Sequence, residues 1–342
     1  DSITSASMRK ISLKAYFYPN QIDVTDIDVY GIRLNPDFTI HAVVAECKTG
    51  DFKEVDRMLW LLGLKKFLPV DKIILATTKN LKTAIKKFAK QMGISIFTYE
   101  EDRLVNRELT PSINIRIRRK IMCFYREFFK KDSKLSNLYW FLISKFWLND
   151  PYINVITIME EFPHIAEIIE EKEGKQQQAF KWFLYEGIIL LSVALIKIIA
   201  QICDMEKEEW QDLVLSKLTY GKMDPSEAKK ITKLMNKYIE SCLAKRGLKR
   251  EPNRIIKLQP PEYGKYIIDA IDRFLSRPLE LCEVPRILDL VLYTIVFEDS
   301  NNIREAIREK VSNIMTFRKA NPDIALKLGK NIIQCLSLIH IS

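Results

Sequence analysis

The chain is poor in the residues that most enzyme classes rely on. It has 3 histidines in 342 residues, His41, His164 and His340, far apart in sequence, so a histidine-based metal centre or a Ser-His-Asp triad has little to build on. Its 10 glycines are scattered and nowhere form G-x-x-x-x-G-K-[ST], which excludes a phosphate-cradling loop and argues against NTPase activity. The 6 cysteines, Cys47, Cys123, Cys203, Cys242, Cys282 and Cys335, contain no C-x-x-C pair. A zinc ribbon or disulfide framework is therefore not expected, and buried free thiols in a reducing, cytoplasmic setting are. The start, Asp1-Ser2-Ile3-Thr4, has neither a methionine nor the basic region of a signal peptide, and it reads as truncated upstream.

Long uncharged apolar runs are also missing. The nearest approach is Ile188 to Ile202, which carries Lys197 inside and Glu186 at its edge. That falls short of the roughly 20 apolar residues a membrane span needs, so a buried central helix is expected and a membrane partner is not.

What the chain does have is positive charge, +10 net, with 47% hydrophobic and 29% charged residues. This is a globular composition whose charge favours a polyanionic partner, nucleic acid before a membrane surface. The length favours two domains. Short strand-like segments are confined to the first part: Ala15 to Ile22, Asp26 to Leu34, Ile40 to Thr49, Lys72 to Thr77 and Ile94 to Tyr99. Helical periods fill Lys53 to Leu68, with Asp51 as its expected cap, and Leu81 to Met92. Ser5 to Lys14 reads as the tail of a helix. Strand–helix–strand connections after Lys48 predict parallel pairing there.

From about Ile113 onward the pattern is helical throughout. Asp150-Pro151, Asp224-Pro225 and Asn321-Pro322 each mark a helix start, a capping residue followed by proline at the first helical position. The division expected is an α/β domain over 1–106, an all-α domain over 107–335, and a tail, 336–342, that reads as the translation of a sequencing adapter.

One constellation carries chemistry. Asp28 stands on one predicted strand, and Glu46-x-Lys48 on the next, so that Glu46 and Lys48 share a face and Cys47 turns away. Two carboxylates on one face call for a cation. A divalent ion, Mg²⁺ or Mn²⁺, held by Asp28, Glu46 and the main-chain carbonyl of Cys47 would polarise a phosphodiester and acidify a bound water. Lys48 would orient that water or neutralise developing charge. The simpler alternative is an ordinary same-face ion pair between Glu46 and Lys48.

Asp26-Ile27-Asp28-Val29, a hairpin, and Ala45-Glu46-Cys47-Lys48-Thr49 together resemble the core of the PD-(D/E)XK nuclease superfamily. The likeness is to the restriction-endonuclease-like branch that includes Mrr-type enzymes and archaeal Holliday junction resolvases, and it covers about residues 1–100. It implies a restriction-endonuclease-like mixed sheet flanked by helices, followed here by the large all-α domain. It also implies metal-dependent endonuclease activity, DNA favoured as substrate, with Asp28 and Glu46 as metal ligands, Lys48 as the catalytic lysine and Asp26 as an assisting acid. Ile27 replaces the proline of the family motif, and no upstream glutamate can be assigned. The other reading kept open is a catalytically inactive nuclease fold that binds nucleic acid or serves as a scaffold.

Basic residues proposed to track nucleic acid are Lys65 and Lys66 at a helix end, and Arg116, Arg118, Arg119 and Lys120, interleaved with aromatics. Against this stands an amphipathic helix that buries its aromatics and solvates its charges. A homodimer or a protein partner would engage through the helical domain.

Overall fold

The computed structural model describes residues 11–17, 20–98, 129, 133–221, 223–246, 258–297 and 321–337. Strands β1 (Ile11–Phe17) and β2 (Asn20–Ile27) form an antiparallel pair. The backbone bends at Asp28, and the chain continues as β3 (Val29–Leu34), which pairs antiparallel with β4 (Ile40–Lys48). The turn between them is closed by Asn35, whose carbonyl accepts from the Phe38 amide, and by Asp37, whose carboxylate accepts from the Thr39 amide.

Helix α1 (Glu54–Phe67) then leads to β5 (Lys72–Thr77), and α2 (Thr83–Gln91) to β6 (Ile94–Thr98). The sheet runs β3-β4-β5-β6, with β4, β5 and β6 parallel as the connection pattern predicts. Gly93, at φ +69°, ends α2 in the left-handed region that a residue with a Cβ resists.

Four expectations about local structure change. The single strand expected over Ala15 to Ile22 is divided between the end of β1 and the start of β2. Ile11 to Lys14 lie in a strand, not a helix tail. The alternation of Ile11, Leu13, Ala15 and Phe17 with Ser12, Lys14 and Tyr16 suits pairing with β2, and pairing overrides local propensity. Asp51 does not cap α1: Lys53 occupies the cap position without a side-chain bond, and the Asp51 carboxylate pairs with Lys79 instead, 3.4 Å away. The single strand expected from Asp26 to Leu34 is broken at Asp28, so Asp26 pairs opposite Ser12 in the two-stranded sheet while β3 belongs to the four-stranded one. Side-chain alternation therefore does not carry across from Asp26 to Asp28.

The apolar run of β4 is buried on both faces over Ala42, Val43 and Val44. On the face that includes Ala42 and Val44 lie Tyr30 and Ile32 from β3, Ile73 and Leu75 from β5 and Ile94 from β6. Met58, Leu61 and Leu64 form the buried stripe of α1.

Every regular element described after β6 is helical. The series is α3 (Ser133–Trp140), a π-helical turn (Phe141–Lys145), α4 (Phe146–Leu148), α5 (Pro151–Glu170), α6 (Gly174–Ile202), α7 (Lys207–Tyr220), α8 (Pro225–Lys245), α9 (Gly264–Leu275), α10 (Pro278–Phe297) and α11 (Pro322–Ser337). All three cap-plus-proline starts are present. The Asp150 carboxylate accepts from the Tyr152 amide at 2.9 Å. Asp224 accepts from Ser226 at 2.8 Å, and Asn321 from Asp323 at 3.0 Å.

Helix α6 is the centre of the bundle, packed by α5, α10 and α11. Contrary to the sequence expectation, the helical stretch Gln176–Ile202 is long and apolar enough to cross a membrane by length and composition, with a mean hydropathy of 2.1 over its most apolar window, but 78% of that window is buried against the rest of the chain. Its polar members are accommodated locally: the Ser192 hydroxyl donates to the Ile189 carbonyl. Lys197 lies largely enclosed over the Phe146 ring, its amine pushed down to about 8 by burial. At Gly187 helix α5 comes so close that a Cβ would sit 2.2 Å from the Phe162 ring. That ring stacks on Phe183 at 5.6 Å.

Sheet and helices share one hydrophobic core. Tyr30 of β3 packs on Trp147 of α4, ring centroids 5.7 Å apart, and the Cys282 thiol of α10 lies 3.1 Å from the Asn35 carbonyl. The expected boundary at 106/107 falls outside the described residues. Of the described cysteines only Cys282 is buried; Cys47 is exposed and Cys203 and Cys242 are intermediate, so the expectation of uniformly buried thiols is corrected.

Candidate active site

Glu46 lies near the C-terminal end of β4, where strand alternation points its side chain to the covered face, in line with Val44 and beside Leu75. It is only 2% exposed. A carboxylate this buried needs compensation, and two cations supply it. The Lys48 amine, two residues along on the same face, is 2.5 Å from Glu46 Oε1. The Arg57 guanidinium, reaching down from the start of α1, donates to the same oxygen. Arg57 also lies 4.0 Å over the Trp60 ring, one turn along its own helix, which fixes the plane of the guanidinium. Lys48 and Arg57 remain about a third exposed, at 30% and 28%, so the cluster opens to solvent on their side.

Asp28 occupies the bend at the end of the β3–β4 ladder. Val29 pairs with Ala45, the last pair of the ladder, which brings Asp28 to the Glu46–Cys47 end of β4. Its carboxylate accepts the Cys47 amide at 2.9 Å. In a strand the N–H and C=O of one residue point to the same neighbour. The Cys47 carbonyl therefore belongs to the edge on which Asp28 sits, while its exposed side chain turns away from Glu46 and Lys48. Two carboxylates, one main-chain carbonyl and two cations are thus gathered where β3, β4 and α1 meet.

The turn after Lys48 is anchored from β5. The Lys48 carbonyl accepts from the Thr78 amide, and Lys79 reaches Glu54 at 2.8 Å and packs over Phe52. The hydrogen bond and charge of Lys79 hold the Glu54 carboxyl below its usual range, and the same bond raises the Lys79 amine. These contacts tie the start of α1, and with it Arg57, to the end of β5.

Of the other residues singled out from sequence, Lys65 and Lys66 lie away from this cluster. They are exposed in the last turn of α1, about 12 Å along the helix axis from Arg57. Asp26 is placed by its β2 register opposite Ser12. Arg116, Arg118, Arg119 and Lys120 lie outside the described residues. Phe129, from the same basic-aromatic segment, is buried against Phe180 and Phe183. A shallow cavity of about 410 Å³ beside Lys86, Lys90 and Thr98 shares no residue with the cluster.

Arg57 was not foreseen. A cation near the N-terminus of a helix opposes the helix dipole unless a carboxylate holds it. With Glu46 just upstream at a strand end, that mismatch is the signal that marks Arg57.

Among the described residues no three His, Cys, Asp or Glu side chains converge in the manner of a dedicated metal cage. Mg²⁺ does not require one. It is commonly held by one or two carboxylates and keeps several waters, a donor set that Asp28, Glu46 and the Cys47 carbonyl fit. Comparison with family models, curated proteins and solved structures returns no match.

Proposed function

We propose that this chain is a metal-dependent nuclease that hydrolyses phosphodiester bonds, most readily in DNA. One observation carries the reading: Asp28, at the bend just past the Val29–Ala45 pair, accepts the amide of Cys47, the residue between Glu46 and Lys48, and Lys48 lies on the Glu46 side chain. The element order agrees with it. An antiparallel hairpin bearing the acid and the E-x-K, followed by helix, strand, helix, strand in parallel register, is what a restriction-endonuclease-like sheet of the PD-(D/E)XK kind requires.

In this reading Asp28, Glu46 and the Cys47 carbonyl hold Mg²⁺ or Mn²⁺. The ion, when bound, supplies Lewis acidity and lowers the pKa of a coordinated water. Lys48 lies beside Glu46 and partly in solvent, placed to position the attacking water and to neutralise charge building on the phosphoryl oxygens. The buried side of Glu46 excludes water from one flank of the site. Asp26 stays a candidate assisting acid, and Lys65 and Lys66 a candidate contact to the phosphate backbone. The net charge of +10 favours a polyanionic substrate.

Cleavage of plasmid and branched DNA with Mg²⁺ or Mn²⁺, by wild type, Asp28→Ala and Lys48→Ala, tests the proposal. Activity is expected from wild type alone. Cleavage that survives both substitutions would refute it.

A second reading has its own support. Glu46 is already compensated by Lys48 and Arg57, as a purely structural ion cluster would be. It corresponds to a non-catalytic nucleic-acid-binding or scaffold protein. Tight DNA binding with no cleavage in any metal, unchanged by Asp28→Ala, would favour it.

A further inference from the structure

Arg57 is the one member of the cluster with no role in the reaction proposed above. It is also placed unlike a simple counter-ion. Lys48 already contacts Glu46, and Arg57 shares the same carboxylate oxygen. Its guanidinium plane is fixed on Trp60, it faces the open side of the cluster, and its Nε is buried without a hydrogen-bond acceptor. A planar fork held by stacking, with donors to spare, is suited to two oxygens of one phosphate.

We propose that Arg57 is a phosphate-binding residue of the nuclease site that rests on Glu46 and exchanges that carboxylate for substrate. The inference depends on the nuclease reading. A divalent cation and a guanidinium compete for the same carboxylate, so a metal taken up by Glu46 frees the Arg57 fork. Trp60 keeps the freed fork at the site, beside Lys48, where the scissile phosphate must lie to meet the metal ligands. Asp28, already anchored by the Cys47 amide, needs no such rearrangement. The exchange couples substrate binding to metal binding without moving the backbone.

Two consequences separate this from a structural role. Removing Arg57 removes a competitor for Glu46, so metal alone should bind more tightly. Removing it also deletes phosphate contacts, so cleavage at saturating metal should fall.

The test uses the full chain as wild type, Arg57→Gln, Arg57→Lys and Asp28→Ala. Mn²⁺ binding is measured by titration calorimetry without nucleic acid, and single-turnover cleavage of linear DNA at saturating Mn²⁺. Thermal unfolding monitors the fold. Arg57→Gln is expected to bind Mn²⁺ several-fold more tightly than wild type and to cleave about 100-fold more slowly. Arg57→Lys, which keeps the charge but loses the fork, should retain wild-type Mn²⁺ affinity and recover only part of the rate; if Arg57→Gln does not fold, this variant decides, and full wild-type cleavage by it overturns the proposal. Arg57→Gln with unchanged or weaker Mn²⁺ affinity, while wild-type binding is abolished by Asp28→Ala, overturns the role of Arg57 alone. Wild type that binds no Mn²⁺, or binds it equally in Asp28→Ala, overturns the nuclease reading and this proposal together.

Discussion

Replacing Lys197 with methionine should stabilise the protein, and the gain should vanish at high pH. Lys197 sits inside the most apolar helix of the chain, and burial lowers its amine from the ordinary 10.5 to about 8, with no carboxylate contributing to the shift. At about 1.4 kcal/mol per pH unit, this corresponds to roughly 3 kcal/mol of penalty for folding the charged form. The Phe146 ring, 5.9 Å from the amine, returns at most about 1 kcal/mol, leaving roughly 2 kcal/mol. Methionine keeps the length and fills the same space without the charge. Below pH 8 the folded and unfolded chains both carry the proton, and the penalty is complete. Between about pH 8 and 10.5 the folded chain releases its proton while the unfolded chain keeps it, so wild-type stability climbs with pH through that window. Urea unfolding followed by tryptophan fluorescence should therefore show Lys197→Met more stable than wild type by roughly 2 kcal/mol at pH 7, with the gap closing by pH 10.5. A gap that is absent at pH 7, or equally large at both pH values, would refute the claim that this lysine is folded at the expense of its charge.

The close approach of α5 and α6 gives a second stability test: Gly187→Ala drives a methyl into the Phe162 ring and should cost about 1–3 kcal/mol, read as a lowered thermal midpoint. Cys47 enters the proposed site only through its main chain, so Cys47→Ala should cleave DNA at the wild-type rate, and loss of activity would show that the exposed thiol itself takes part. The turn after Lys48 depends on Lys79, so Lys79→Ala should loosen the start of α1 and lower cleavage by displacing Arg57. Hydrogen exchange at the α1 amides should rise in that variant, and unchanged protection there would count against the coupling.

The elements of the sheet could be read from sequence because their signals are local. β4, β5 and β6 are short runs of Ile, Val, Ala and Leu bounded by turns, and parallel pairing follows from the helices between them. The helix starts at Asp150, Asp224 and Asn321 were legible for the same reason: a cap and a proline act within one turn. Asp28 was the harder case. Asp26-Ile27-Asp28-Val29-Tyr30 alternates as one strand would, and nothing in it announces that the chain changes sheets at Asp28. That bend is decided by β1, which pairs with the first half, and β4, which pairs with the second. The start of Ile11–Phe17 follows its pairing with β2 and not its local propensity, so the residues alone do not mark it as a strand.

Glu46 shows why the candidate site was only partly visible. Its spacing to Lys48 fixes their common face whatever else the chain does, so that pair follows from strand geometry alone. Its burial does not. It depends on α1 folding back across β4, and on Arg57 emerging from that helix near the carboxylate. Once Glu46 is covered, a lone lysine at the solvent edge is a weak counter-ion, because an exposed ammonium gives up little hydration to pair. A stacked guanidinium is less strongly hydrated and better suited to a partly buried carboxylate. The same property makes it a good phosphate ligand. The residue that stabilises Glu46 in the folded chain is therefore chemically matched to the substrate the site would bind, and Arg57→Lys, which keeps the charge but loses the fork, is where the two roles come apart, provided its loss of cleavage exceeds its loss of stability.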